Sequence, residues 1–500
     1  MLRIPAGVHF EIGERCGRSC GLVEQVHLPE IPMTRRRLLL VLLASTTLTA
    51  LAVGAARARD VPEVATGFIA STVCSETFVS NQDPDRVLSE TRAAMPGAGL
   101  LTWAMDVRVD RAARDVTVSL LGLGRSHAVY RDGLGCHMDH GEAQDWPTFR
   151  PSPPQPALLP EIAAKRVVAP ATPELAAALD RAFAEPDTPP FRRTHAVVVL
   201  KDGKVIAERY APGFTLDTPL LGFSATKSMT ATLIGILVRQ GKLALHAPAP
   251  VAAWRDDKDP RHAITVDHLL RHTAGLALGS SLQASLLSAL EPVNRMKFVE
   301  SDRAAFAESM PLETAPGAVS NYHDGNTVIL SHLIRDAAGG SAADVLRFAQ
   351  RELFDPLGMR NVTIEFDAAG TPEGSSQMLA TARDWARLGQ LYLDDGVVAG
   401  RRILPAGWVD YVATPTPGAF VGLGAGFWTN RGDSFGANYR ISHGWPRDAF
   451  FAKGTLGQYV VMIPSERLVI ARFGRTVNWP PEIDGVAQLV SDVMAATRGE

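Results

Sequence analysis

Ser224-Ala225-Thr226-Lys227 is the segment whose residue types and spacing best suit chemistry. Ser224 to Gln240 carries helical periodicity, with Ser224 at its N-terminus, so Lys227 falls one turn on along the same face. That spacing lets an amine reach a hydroxyl. The positive end of the helix and its unpaired backbone N–H groups favour an anion at this place. A serine hydroxyl is a weak nucleophile without an adjacent base, and a desolvated lysine of lowered pKa can be that base. Taken alone the pattern is unspecific, because an N-capping serine with an exposed lysine satisfies it equally well. The surroundings therefore decide.

A hairpin precedes the serine. His195 to Lys201 and Lys204 to Tyr210 read as strands, joined at Asp202-Gly203. Gly241 stops the following helix and Leu243 begins a new segment. Val345 to Leu353 and Thr381 to Leu393 read as helices. Gly457 to Ile463 and Leu468 to Phe473 read as paired strands around Pro464-Ser465-Glu466, and Ile483 to Thr497 as a closing helix. Strands at both ends with helices between predict an α/β fold of the α+β type: one antiparallel sheet flanked by helices, plus a helical subdomain. Four more segments stand in order: Val266 to Leu276, containing His272-Thr273-Ala274-Gly275; Pro316-Gly317 with Asn321 to Thr327; Phe354 to Met359; and Lys453 to Tyr459.

This ordered set resembles the penicillin-binding, serine β-lactamase-like superfamily over about residues 185–500, most of all its branch of 6-aminohexanoate-dimer hydrolases and related esterases. The resemblance implies that Ser224 is acylated, that Lys227 shares its proton and orients it, and that Tyr322 relays a proton to the leaving group. A tyrosine, ordinarily titrating near 10, needs a cationic neighbour for this, and Lys227 is the candidate. The second motif ordinarily has Asn or Ser two residues after the tyrosine; here it is Asp324. Either Asp324 changes the pocket charge and disfavours carboxylated substrates, or it points away and Asn326 takes the polar role. The third motif has Ala452-Lys453-Gly454, its lysine one place late, so strand alternation turns Lys453 away from a β-lactam carboxylate. Backbone N–H near Thr455, with that of Ser224, would form an oxyanion hole, and Gly454 would let substrate approach. His443 is read as pocket lining or loop packing, and Trp428 as substrate wall or core. His268 and His272 have a metal-like spacing, but the resemblance makes His272 part of a structural turn.

Upstream, Arg35-Arg36-Arg37, an apolar run from Leu38 and Ala56-Arg57-Ala58 form a secretory signal, with Met33 as the expected start and cleavage after Ala58. A membrane anchor is the alternative reading. Thr34-Arg35-Arg36 loosely resembles a twin-arginine signal. Residues 59–146 read as a small α+β unit, with a hairpin of Met105 to Asp110 and Val116 to Leu120. Export makes a disulfide between Cys74 and Cys136 the expectation. His137, Asp139 and His140 read as a polar surface loop. Residues 147–164 read as a stiff proline-rich linker, and 165–500 as the hydrolase domain.

Composition bounds the partner. In 500 residues, 50 basic side chains face 53 acidic ones, a net charge of −3. That lacks the basic footprint that nucleic acid requires. No phosphate loop or dinucleotide fingerprint is present, so no cofactor or metal is expected. The reading is an exported, periplasmic or secreted serine hydrolase acting on a small amide or ester. Its alternatives are a D-amino-acid peptidase or β-lactamase, and a non-catalytic module binding cell-wall fragments.

Overall fold

The computed structural model describes residues 60–95, 102–141, 149, 152–281, 286–477 and 481–498. The expected signal segment, residues 1–58, lies outside them. No helix among the described residues is long and apolar enough to cross a membrane.

Ala196 to Leu200 are all fully buried, the mark of a strand covered on both faces. This strand, Thr194–Lys201, sits inside a six-stranded antiparallel sheet. The order is Trp428–Thr429, Phe450–Gly454, Gln458–Ile463, Leu468–Gly474, Thr194–Lys201 and Lys204–Tyr210. The hairpin turn has positive φ at both Asp202 and Gly203, which matches the right-handed twist of the strands it joins. Val197 and Val199 pack under the helices Pro173–Phe183 and Pro481–Thr497. Val198 and Leu200 face the other side, toward Ala382–Leu393 and the helix Thr226–Arg239.

That last helix is buried on every side from Thr226 to Leu237. Its hydroxyls are paired, as burial requires. Ser228 Oγ donates to the Gly426 carbonyl, Thr230 Oγ1 to that of Gly374, and Thr232 Oγ1 to that of Ser228. The predicted helical start at Ser224 resolves into a 3₁₀ turn, Phe223–Ala225, with the α-helix beginning at Thr226.

The N-terminal unit has a four-stranded antiparallel sheet, Met105–Asp110, Asp115–Leu120, Gly124–Arg131 and Gly135–Met138. A helix over residues 60–74 and the helix Pro84–Ala94 cover it. Cys74 and Cys136 form a disulfide. His137 belongs to the last strand and is buried, not on a surface loop; burial lowers its pKa to about 4. The proline-rich segment is a strap held to the larger part rather than a free spacer. Gln155 N–H donates to Asp355, the Leu158 and Leu159 N–H groups to the Pro356 carbonyl, and Leu159 and Ile162 are buried.

Candidate active site

The Phe223–Ala225 turn presents Ser224 at the N-terminal end of the helix Thr226–Arg239. Phe223 adopts φ of +44°, which costs an aromatic residue roughly 1–2 kcal/mol and persists because neighbours hold it. Two glycines make the turn possible. A Cβ at Gly222 would meet the Trp385 ring, and one at Gly454 would meet the Gly222 carbonyl oxygen at 2.1 Å. Gly454 thus gives room to the backbone behind Ser224.

Lys227 Nζ donates to Ser224 Oγ at 3.0 Å, to the Ser375 carbonyl at 2.9 Å and to Asp324 Oδ1. The Tyr322 side chain is a further hydrogen-bonding neighbour of this ammonium. Burial is the largest single influence and would lower the Lys227 pKa, but the Asp324 carboxylate and then Tyr322 together outweigh it and the net shift is upward. The expected lowered-pKa lysine is therefore corrected: Lys227 is a buried cation, because a carboxylate pairs with it.

Asp324 begins the helix Asp324–Ala338, where the helix dipole favours its charge. Its second oxygen accepts from Lys297 Nζ at 2.8 Å, and Lys297 also donates to Ser376 Oγ at 2.9 Å. Burial resists ionisation of Asp324, yet Lys227 and Lys297 together hold its carboxyl well below the usual range. Asp324 thus points into the site. Its charge there is paired with two ammonium groups.

Lys297, Ser375 and Ser376 escape the motif reading. Ser375 contributes a carbonyl, which no residue type advertises. Lys297 had one available signal: an acid at position 324 demands a second cation.

Tyr322 lies against His272, ring centroids 4.6 Å apart, and against Trp428 at 5.7 Å; Lys227 Nζ is 5.1 Å from its ring centre. His272 is buried, and desolvation, then the Lys227 charge, keeps its pKa well below 6.5, so it is a neutral ring. Ser224, Tyr322, Asp324, Trp428, Gly454 and Thr455 all line one cleft of about 610 Å³. Lys453 borders it too, with its ammonium 4.7 Å over the Trp428 ring and 5.8 Å from that of Tyr459.

Two expected residues lie elsewhere. Asn326 is fully buried behind the cleft, with Nδ2 3.4 Å from His272 Nδ1. Asp324 rather than Asn326 takes the polar role, because the helix register turns position 326 inward. His443 stacks on Tyr439 at 4.2 Å and bonds its carbonyl at 2.7 Å, which is loop packing.

Residues 179–493 match the family model described as Beta-lactamase. A 6-aminohexanoate-dimer hydrolase of Paenarthrobacter ureafaciens is 28% identical over 228 residues, 44% of this chain; the chain spans only 57% of that relative's length. A candidate 6-aminohexanoate-dimer hydrolase of Bacillus anthracis shares the fold with TM-score 0.50 at 21% identity, covering 71% of this chain and 89% of that one. A penicillin-binding protein homologue from Caulobacter crescentus does so with TM-score 0.51 at 19% identity, covering 66% and 100%.

Proposed function

We propose that this chain, which belongs to the beta-lactamase family, is a serine hydrolase that cleaves small esters or amides through an acyl-enzyme on Ser224. One observation carries the reading: Lys227 reaches Ser224 Oγ at 3.0 Å while Asp324 and the Ser375 carbonyl hold its ammonium in place. A lysine so held stays charged and stabilises negative charge at Ser224 and at its neighbour Tyr322.

Proton transfer then falls to Tyr322. Its oxygen, beside the Lys227 charge, takes the Ser224 proton as Oγ bonds to the substrate carbonyl carbon. Backbone N–H groups of Ser224 and Thr455 receive the carbonyl oxygen. The bond to the leaving oxygen or nitrogen breaks as Tyr322 passes the proton to it. Water repeats the sequence: Tyr322 takes its proton, the hydroxide adds to the acyl carbon, and Ser224 leaves with that proton. Asp324 keeps Lys227 charged throughout.

The ester and amide reading is favoured over β-lactam hydrolysis by the position of Lys453, whose ammonium stacks on Trp428. The Cys74–Cys136 disulfide supports an exported protein, since such bonds persist in oxidising compartments.

Intact-mass spectrometry with a p-nitrophenyl ester tests the proposal. A mass increase by one acyl group in the wild type, absent in Ser224→Ala, is the expected result. Equal behaviour of both proteins, with no turnover of esters or nitrocefin, would turn the reading to a binding module.

A further inference from the structure

Four residues of the cleft come from outside the matched family region. Phe68, Ser71, Thr72 and Met95 line it together with Ser224, and all precede residue 179, where the family match begins. Phe68, Ser71 and Thr72 lie at i, i+3 and i+4 of the helix over residues 60–74, so they share one face.

That face is firmly seated. The Phe68 ring meets Phe298 edge-on, with centroids 6.1 Å apart. A Cβ at Gly67 would fall 2.8 Å from the Phe298 Cβ, so glycine lets the helix backbone descend onto that residue. Beyond the disulfide, Ser75 Oγ donates to the buried Glu365 at 2.9 Å, and Glu90 accepts from His195 at 2.9 Å. Glu76 pairs with the buried Arg475. A loosely tethered accessory unit needs none of these contacts at the cleft.

We propose that the N-terminal unit is one wall of the active site, and that this wall selects esters and amides with an apolar acyl group. The inference rests on the acyl-enzyme reading above. Phe68 and Met95 gather on the cleft with Leu221, Phe223 and Phe298, an apolar set beside the nucleophile turn. Tyr322, which delivers the proton to the leaving group, packs instead on His272 and Trp428. The leaving group belongs with the Tyr322 set, and the acyl group with the Phe68 set. Burying a longer acyl chain against Phe68 and Met95 strengthens binding with each methylene. Thr72 adds a hydroxyl to this lining and is expected to limit that gain, because a hydroxyl set against an apolar chain is poorly solvated.

The test is kcat/KM for p-nitrophenyl acetate, butyrate and octanoate, with the leaving group held constant. Phe68→Ala is expected to lower the octanoate-to-acetate ratio roughly fivefold to tenfold, the loss growing with chain length. Thr72→Val, which keeps volume and removes the hydroxyl, is expected to raise it about threefold. Should Phe68→Ala fail to fold, the isosteric Thr72→Val still decides. An unchanged ratio in the folded variants overturns the wall while leaving the hydrolase reading intact. A changed preference among acetyl esters of different alcohols, with an unchanged acyl ratio, overturns the acyl assignment. A wild type that turns over no ester and takes no label at Ser224 overturns the wall and the hydrolase reading together.

Discussion

Ser224→Ala removes the attacking oxygen, and ester turnover is expected to fall by more than about 1,000-fold, measured as kcat with the wild-type fold checked by circular dichroism. Asp324→Asn tests a subtler claim. The carboxylate is the largest influence raising the Lys227 pKa against burial. Catalysis that needs a charged Lys227 fails as pH rises through that pKa. Without the carboxylate the pKa falls, so the alkaline limb of the kcat/KM profile is expected at lower pH than in the wild type. An alkaline limb that does not move would show that another group sets it.

At the scale of elements, three helices and a loop must bring three charges to one point. Lys227 stands on Thr226–Arg239, Lys297 on Pro292–Phe298, and Asp324 opens Asp324–Ala338, while the 374–376 loop supplies the Ser375 carbonyl and the Ser376 hydroxyl. Asp324→Asn alone leaves two buried ammonium groups facing a neutral amide, and is expected to destabilise by about 3 kcal/mol in urea unfolding. Adding Lys297→Met removes the surplus cation, so the double variant is expected to recover about 1 kcal/mol or more. Simple additivity of the two losses would show that Lys297 does not compensate Asp324.

Over the whole molecule, Glu365 is the test of how the N-terminal unit is held. It accepts from Ser75 Oγ and from the Cys136 N–H at 2.8 Å, and burial raises its pKa from 4.5 to about 8. Between these values the folded protein keeps a proton that the unfolded chain has released. Stability therefore falls as pH rises from about 4.5 to about 8, by up to about 1.4 kcal/mol per pH unit from this group. Glu365→Gln is expected to flatten that slope in thermal unfolding across the same window. Reducing the Cys74–Cys136 bond is expected to cost about 2–4 kcal/mol, seen as a lower Tm in reductant.

The sequence by itself determined the regular elements and the motif positions. Period-two alternation marked Met105 to Asp110 as a strand, Asp202-Gly203 marked the hairpin, and helical periodicity marked Thr381 to Leu393, because each signal is local. Ser224 and Lys227 stood out by spacing, and Tyr322 and Asp324 by the resemblance to a family motif. Only the tertiary structure decided their charge states and companions. The pairing of Lys227 with Asp324 spans 97 residues, that of Lys297 with Asp324 spans 27, and the Ser375 carbonyl reaches Lys227 across 148. Alternation expected Lys453 to turn from a β-lactam carboxylate; in the structure it lines the same cleft as Ser224, because it stands near the strand end, with its ammonium over Trp428. Phe68, Ser71, Thr72 and Met95 read as an ordinary helix face and helix end, and nothing local ties them to Ser224. Burial, pKa and cleft shape depend on which segments meet, and that is settled by packing rather than by any one segment.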